Sequence, residues 1–174
     1  MRLRNFLSVL SLVLLGLWLG AAVFLSAAVA PRVFSVLRGA ELSNAGALAG
    51  AIVSELLGTI NRGGFEIALL LIVISYFTTR DQKRLRRFAE MISLAIMAIM
   101  AALGHWVIAA RMSGLRTAMQ LPIDQIARDD PRRVAFDGLH RYSVVALSVA
   151  MIAGLVAFIV IASRGHRTNP EPLA

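Results

Sequence analysis

The sequence predicts an all-α integral membrane protein, a four-helix bundle with an additional interfacial helix in its first outer loop. Of the 174 residues 58% are hydrophobic, and the mean hydropathy is +0.74, whereas soluble domains are roughly 45–50% apolar. The apolar residues are concentrated in long blocks, each close to the roughly 20 residues that a helix needs to cross a bilayer. Basic residues flank these blocks. The pattern is typical of a polytopic membrane protein.

Four apolar blocks are predicted to form the spans of a single membrane domain over residues 1–174. The first follows a basic start, as in a signal peptide. Its apolar run over 6–29 has 24 residues, more than the roughly 7–15 of a signal peptide, so we expect a retained first transmembrane helix. The spans are predicted at 6–30, 60–79, 88–110 and 142–163, followed by a short C-terminal tail at 164–174.

The first outer loop is predicted to carry the interfacial helix, at about 43–58. Small residues recur there at every fourth position: Gly46, Gly50, Ser54 and Gly58. Such a ridge suits close backbone packing between helices. Asn44 and Glu55 argue against a further full span, and the "NRGG" at 61–64 is predicted to break this helix from the second span.

The second outer loop contains a start signal for the last helix. Asp130 is a good N-cap and Pro131 suits the first helical position, so the fourth span is predicted to begin outside the membrane. Asp137 and Arg141 are one turn apart on that helix and can pair.

Charge patterning predicts the orientation. Five basic residues lie between the second and third spans: Arg80, Lys83, Arg84, Arg86 and Arg87. Positive residues concentrate in short cytoplasmic loops, so this loop and both termini are predicted to be cytoplasmic. The arginines flank apolar segments and form no aromatic-interleaved patch. The net charge of +8 therefore indicates contact with the lipid bilayer and no nucleic acid.

Alternating spans are predicted to bring six ionisable groups to one level near the outer face: Arg62, Glu66, His105, Arg111, His140 and Arg141. A carboxylate inside a bilayer needs a partner or a role, so Glu66 is expected to face inward and to be neutralised by Arg62 or by an arginine of a neighbouring span. This outer polar cluster is open to three interpretations. It is a network that closes the bundle, a pocket for a solute or lipid headgroup, or a cofactor site.

The cofactor interpretation rests on two histidines. His105 and His140 could ligate haem or a magnesium-porphyrin pigment from two helices. No metal site is predicted, because the chain has no cysteine and no His-x-x-x-His spacing. No catalytic residue is predicted either.

Several short blocks of the chain carry a family resemblance. The first, "WLGAAVFLSAAVAPRVF", contains Trp18, Gly20, Ala30, Pro31 and Phe34 and is similar to the first span of the transmembrane protein 205-like domain family. "AGALAGAIV", "AARMSGLR" and "FDGLHRYSVV" are similar to later blocks, in order, from about Leu17 to Val149. The resemblance implies an uncharacterised four-span bundle of the bacterial inner membrane. It also implies a distant similarity to bundles of the copper-resistance D type, some of whose relatives bind haem.

Together these features predict a non-enzymatic membrane protein. We expect an accessory or assembly subunit of a larger membrane complex, or a self-associating bundle. The alternative is a haem- or chlorin-binding protein with an outer pocket. A small-solute carrier is a third interpretation, which the lack of an internal inverted repeat disfavours.

Overall fold

The computed structural model describes residues 2–79 and 83–164, Arg2 by its backbone alone. Within these ranges the chain is helical and has no strand. The α-helices are, in order, α1 (Arg2–Phe24), α2 (Ala30–Gly39), α3 (Ala45–Thr78), α4 (Arg84–Ala102), α5 (Ala109–Met119) and α6 (Pro131–Ala162). Two π-helical segments, Leu25–Val29 and Leu103–Ile108, connect α1 to α2 and α4 to α5, and a 3₁₀ turn covers Ile123–Gln125.

These elements make four continuous helical rods. The rods Leu3–Gly39, Ala45–Thr78, Arg84–Met119 and Pro131–Ala162 are each long and apolar enough to cross a membrane. The all-helical class is thereby confirmed, together with four helices long and apolar enough to cross a membrane. Every rod is longer than the span predicted from its apolar core. The predicted C-terminal tail beyond Arg164 lies outside the described residues, as does Arg80.

The first outer loop differs from the prediction. Helix α3 runs from Ala45 to Thr78 without a break at 61–64, so the helix predicted at 43–58 is the first half of α3 rather than a separate element. Gly64 of this stretch has a packing role and does not break the helix. A Cβ at Gly64 would lie 2.6 Å from the indole nitrogen of Trp18, and that nitrogen donates to the carbonyl of Ile60, 2.9 Å away. Gly64 thus admits the indole between α1 and α3.

The core is built around this tryptophan and the small residues of α6. Trp18 is 4% exposed, and a Cβ at Gly154 would stand 3.1 Å from its ring. Ala146, Ala150 and Gly154 recur at every fourth position of α6 and form a packing surface, because all three are buried. Small residues bring α6 close to α1 and α4, as in other membrane bundles.

The N-terminus of α6 is confirmed as predicted. The backbone N–H of Arg132 donates to the Asp130 side chain at 2.8 Å, and Pro131 occupies the first helical position. Arg164, just after α6, lies beside Glu90, Thr78 and Ser8. One end of the bundle therefore holds the helix ends Leu3, Thr78, Arg84 and Ala162. We call this the terminal end and the opposite one the cavity end.

Contacts between helices define common levels along the bundle. At the terminal end Glu90 of α4 lies beside Ser75 of α3, and further along Gly104 lies against Asn61. The interval from Ser75 to Asn61 along α3 and the interval from Glu90 to Gly104 along α4 are both about 21 Å at 1.5 Å per helical residue. The two contacts therefore give the same levels on both helices. By the same count Glu55 and Arg111 lie about 30 Å from Glu90. Gly154 of α6 lies against Met97 of α4 and Trp18 of α1, which places Arg141 and Arg32 at about the same level. We call these four exposed residues the charged ring.

This distance matches a bilayer. The hydrocarbon core is about 30 Å thick, so it fits between the level of Glu90 and the charged ring. The rods continue past the ring for about 10–15 Å, and that polar extension reaches the headgroup layer at the cavity end.

Candidate functional site

A cavity of about 410 Å³ opens between α3, α5 and the first half of α6 at the cavity end. Its floor includes Asn61, Gly104 and Ser143, and its mouth includes Arg116 and Arg133. The volume falls within the roughly 300–1,000 Å³ of ligand sites. The floor lies at hydrocarbon depth and the mouth at headgroup depth, by the levels given above.

The floor is shaped by a buried amide. Asn61 is 4% exposed, and a Cβ at Gly104 would lie 2.7 Å from its side-chain nitrogen. Gly104 lies in the π-helical segment Leu103–Ile108, a distortion often found at functional sites. Sequence reasoning missed this pair, since an asparagine in "NRGG" was read as part of a helix break. Its position on the bundle interior depends on α3 being continuous.

Arg116 is held at the mouth by three contacts. Its Nη2 donates to the hydroxyl of Ser54 at 2.8 Å and to the carbonyl of Gly50 at 3.3 Å. Its guanidinium carbon lies 5.2 Å from the centroid of the Phe136 ring, a cation–π distance. Among the described residues no carboxylate forms an ion pair with Arg116, so its positive charge is held in place by neutral groups.

The small-residue ridge of α3 forms one wall of the cavity. Gly50 gives Arg116 access to its carbonyl, and a Cβ there would lie 3.6 Å from the guanidinium. The ridge therefore faces the cavity, and its predicted role in close packing between helices stays a prediction.

Two further charged residues shape the mouth. Arg133 donates through Nη1 to the carbonyl of Ile126. Asp124 Oδ2 accepts from the backbone N–H of Ala47 at 3.1 Å, close to Gly46. A carboxylate at a helix N-terminus is favourable because unpaired N–H groups and the helix dipole meet it there. The negative charge of Asp124 is thus balanced by α3.

The structure separates the two histidines. His140 lines the cavity. His105 instead lies against Gly58 of α3, where a Cβ would be 3.9 Å from its Nδ1, and its ring contacts Trp106 edge-on at 4.7 Å. Nδ1 of His105 is buried without a hydrogen-bond partner among the described residues. Only one of the two imidazoles therefore reaches the cavity, and the shared cofactor stays a prediction.

Glu66 faces away from the bundle interior. Its carboxylate accepts from Arg62 Nε at 2.9 Å, and the two side chains are 59% and 67% exposed. The expected partner is therefore correct, whereas the expected inward orientation is not observed. Arg111 and Arg141 are exposed in the charged ring, and within the described residues no ion pair connects either to Glu66. Among the described residues the only hydrogen bond or ion pair that joins two members of the predicted outer polar cluster is the one between Arg62 and Glu66, and a common site stays a prediction.

A buried carboxylate lies at the other end of the bundle. Glu90 is fully buried, accepts from the hydroxyl of Ser75 and forms an ion pair with Arg164. Arg164 Nη1 also lies 3.5 Å from Ser8 Oγ and 3.4 Å from Thr78 Oγ1. Four helical rods or their ends therefore meet at one charged pair.

Sequence reasoning missed Glu90, although a signal existed. It is the single acidic residue within the predicted span 88–110. The sequence analysis considered Glu66 as the intramembrane acid, whereas Glu90 is the one that is buried.

Comparisons with known proteins give one match. A family model described as a domain of unknown function (DUF4149) matches residues 13–120. No curated protein and no solved structure gives a match. Across the part of the chain that the structure describes, no group of three or more His, Asp or Glu residues could hold a metal ion.

Proposed function

Since this chain belongs to the DUF4149 family, whose description assigns no activity, we propose its function from its own geometry. We propose that it is a non-enzymatic integral membrane protein, an accessory or assembly subunit of a larger membrane complex. The face of α3 that carries Arg62 and Glu66 is the docking surface in this proposal.

The observation that carries the proposal is the depth of an exposed ion pair. Glu66 and Arg62 lie about 14 and 20 Å from the level of Glu90, near the middle of a hydrocarbon core about 30 Å thick. Both side chains are more than half exposed. A charged residue at the centre of a membrane helix costs roughly 2.5–3.5 kcal/mol on insertion scales. The pairing offsets only part of that cost while acyl chains surround the pair.

Contact with another protein surface would remove the rest of this cost of exposing the ion pair to acyl chains. Intramembrane ionisable residues normally face a bundle interior, a water-filled cavity or a partner. The Arg62–Glu66 pair faces neither the interior of its own bundle nor the cavity described above. A companion transmembrane helix with polar groups at this depth would complete its hydrogen bonds. The apolar residues around it would pack against that helix.

The same proposal includes a location and an orientation. Basic residues crowd the terminal end, where Arg4, Lys83, Arg84, Arg86 and Arg87 lie. The positive-inside tendency supports a cytoplasmic terminal end, with the cavity on the outer side. We further propose the bacterial inner membrane as the location, an expectation that comes from the sequence resemblance to the transmembrane protein 205-like domain family alone.

Purification from the native membrane in mild detergent tests the proposal. The wild-type chain is expected to migrate in native gels with companion chains identified by mass spectrometry. The double variant Arg62→Leu and Glu66→Leu is expected to lose these companions, because an apolar face no longer requires polar partners. Its thermal stability as an isolated bundle should stay the same or rise.

A matched variant controls for a general effect of altering the surface. Val145→Ala with Ile152→Ala changes two exposed residues of α6 and should leave the complex intact. A wild-type particle with the mass of one chain, without companions, would refute the proposal. A particle that contains only copies of this chain would instead indicate self-association.

A further inference from the structure

We propose that the cavity at the cavity end binds the phosphate-bearing headgroup of a membrane lipid. The phosphate would lie at Arg116 and Arg133, and the start of the acyl chains would lie toward the floor. This inference rests on the cavity alone and is independent of the proposed subunit role.

Arg116 and Arg133 at the mouth each have guanidinium N–H groups that make no hydrogen bond among the described residues. Arg116 uses Nη2 for Ser54 and Gly50, and Arg133 uses Nη1 for Ile126. Among the described residues neither guanidinium has a carboxylate partner. The guanidinium fork matches phosphate oxygens in a bidentate way. Phe136 beneath Arg116 holds one fork in a defined plane.

The carboxylates of the mouth do not cancel this charge. Asp124 is engaged with the first turn of α3 through Ala47. Asp137 lines the cavity as well and has no ion-pair partner among the described residues. It can accept from a hydroxyl or ammonium group of the headgroup. The mouth therefore has donors for a phosphate and an acceptor for the group attached to it.

Between the arginines and the polar floor residues the cavity wall is apolar. Leu57, Ala109 and Met112 line this part and lie within about 3 Å of the level of the charged ring. The ring marks the boundary between hydrocarbon and headgroups. A molecule in the cavity would thus have its charged end at the arginines and its apolar end toward the hydrocarbon. A phospholipid of the same leaflet has this orientation, whereas a soluble phosphate would leave the apolar walls uncovered.

Native mass spectrometry of the delipidated protein in detergent tests the inference. The probes are phosphatidylglycerol, phosphatidylethanolamine, diacylglycerol, which has no phosphate, and soluble glycerol 3-phosphate. The two phospholipids are expected to bind, and diacylglycerol to bind at least about tenfold more weakly, since a charge-assisted hydrogen bond is lost. Arg116→Gln and Arg133→Gln should each weaken phospholipid binding by about the same factor.

Two variants keep the test sharp. Arg111→Gln removes the same charge from α5 at an exposed position that does not line the cavity, and should bind phospholipid like the wild type. Ala109→Phe fills the cavity from an exposed position without altering its charge and should also weaken binding, so the conclusion does not depend on the folding of the arginine variants.

Three results would overturn the inference. One is equal binding of diacylglycerol and phosphatidylglycerol, which would remove the phosphate from recognition. Another is unchanged phospholipid binding in both arginine variants and in Ala109→Phe. The third is displacement of the lipid by glycerol 3-phosphate at a comparable concentration, which would identify a site for a soluble phosphate ester.

Discussion

Removal of the Glu90 carboxylate is expected to be the most destabilising single change in the bundle. Glu90 is fully buried and the Arg164 side chain is 11% exposed, so neither charge is screened by solvent. In Glu90→Leu the guanidinium of Arg164 would remain buried without its counter-charge. Removal of one partner of a buried pair costs about 3–5 kcal/mol. For a chain of this length 1 kcal/mol corresponds to roughly 2–4 °C, which gives a fall in Tm of about 6–20 °C.

The double variant makes the prediction specific to the pair. In Glu90→Leu with Arg164→Leu both charges are gone, and replacement of a buried pair by apolar residues is often close to neutral. The double variant should therefore recover most of the stability that the single variant loses. Thermal unfolding of the detergent-solubilised protein, followed by intrinsic fluorescence, measures all three proteins, with Glu55→Leu at an exposed position of α3 as the control. The reasoning is refuted if Glu90→Leu melts with the control, or if the double variant melts no higher than Glu90→Leu.

Three further expectations concern packing and capping. Gly64→Ala places a Cβ 2.6 Å from the indole nitrogen of Trp18, so it should lose about 1–3 kcal/mol. The indole emission should shift to the red, whereas Gly63→Ala, with nothing within 4 Å, should not change it. The side-chain hydrogen bond from Arg132 lowers the pKa of Asp130 to about 2. The N-cap of α6 is therefore complete above the ordinary pKa of 3.8 and is lost as the pH falls through about 2, which circular dichroism can follow. Arg132→Gln should move that loss to higher pH, and an unchanged titration would contradict the assignment.

The spans and the start of α6 could be predicted because their causes are local. Long apolar runs need only the thickness of a bilayer to be interpreted. The Asp130–Pro131 pair specifies a helix start within two residues. Neither conclusion required knowledge of which helices are neighbours.

The features that the sequence analysis missed or placed wrongly depend instead on contacts between residues far apart in the chain. Gly64 was read as part of a helix break because its real partner, Trp18, is 46 positions away in the sequence. Glu66 was expected to face inward because of its predicted depth in the membrane, which can be counted along a helix. The direction of its side chain depends on how α3 is rotated against its neighbours, and the sequence alone does not give that rotation. The cavity needs α3, α5 and α6 together, and Asp124 caps a helix that begins far earlier in the chain. Tertiary packing decides such features, and a single sequence does not display it.

The charged ring sets the bilayer thickness that suits the protein. Arg32, Glu55, Arg111 and Arg141 belong to four different rods, so no single helix can tilt to move them all. A bilayer several ångströms thicker than about 30 Å would submerge all four groups, and mismatch costs fractions of a kcal/mol for every ångström. The protein should therefore be most stable in bilayers with a hydrocarbon core of about 30 Å and less stable in reconstituted bilayers several ångströms thicker.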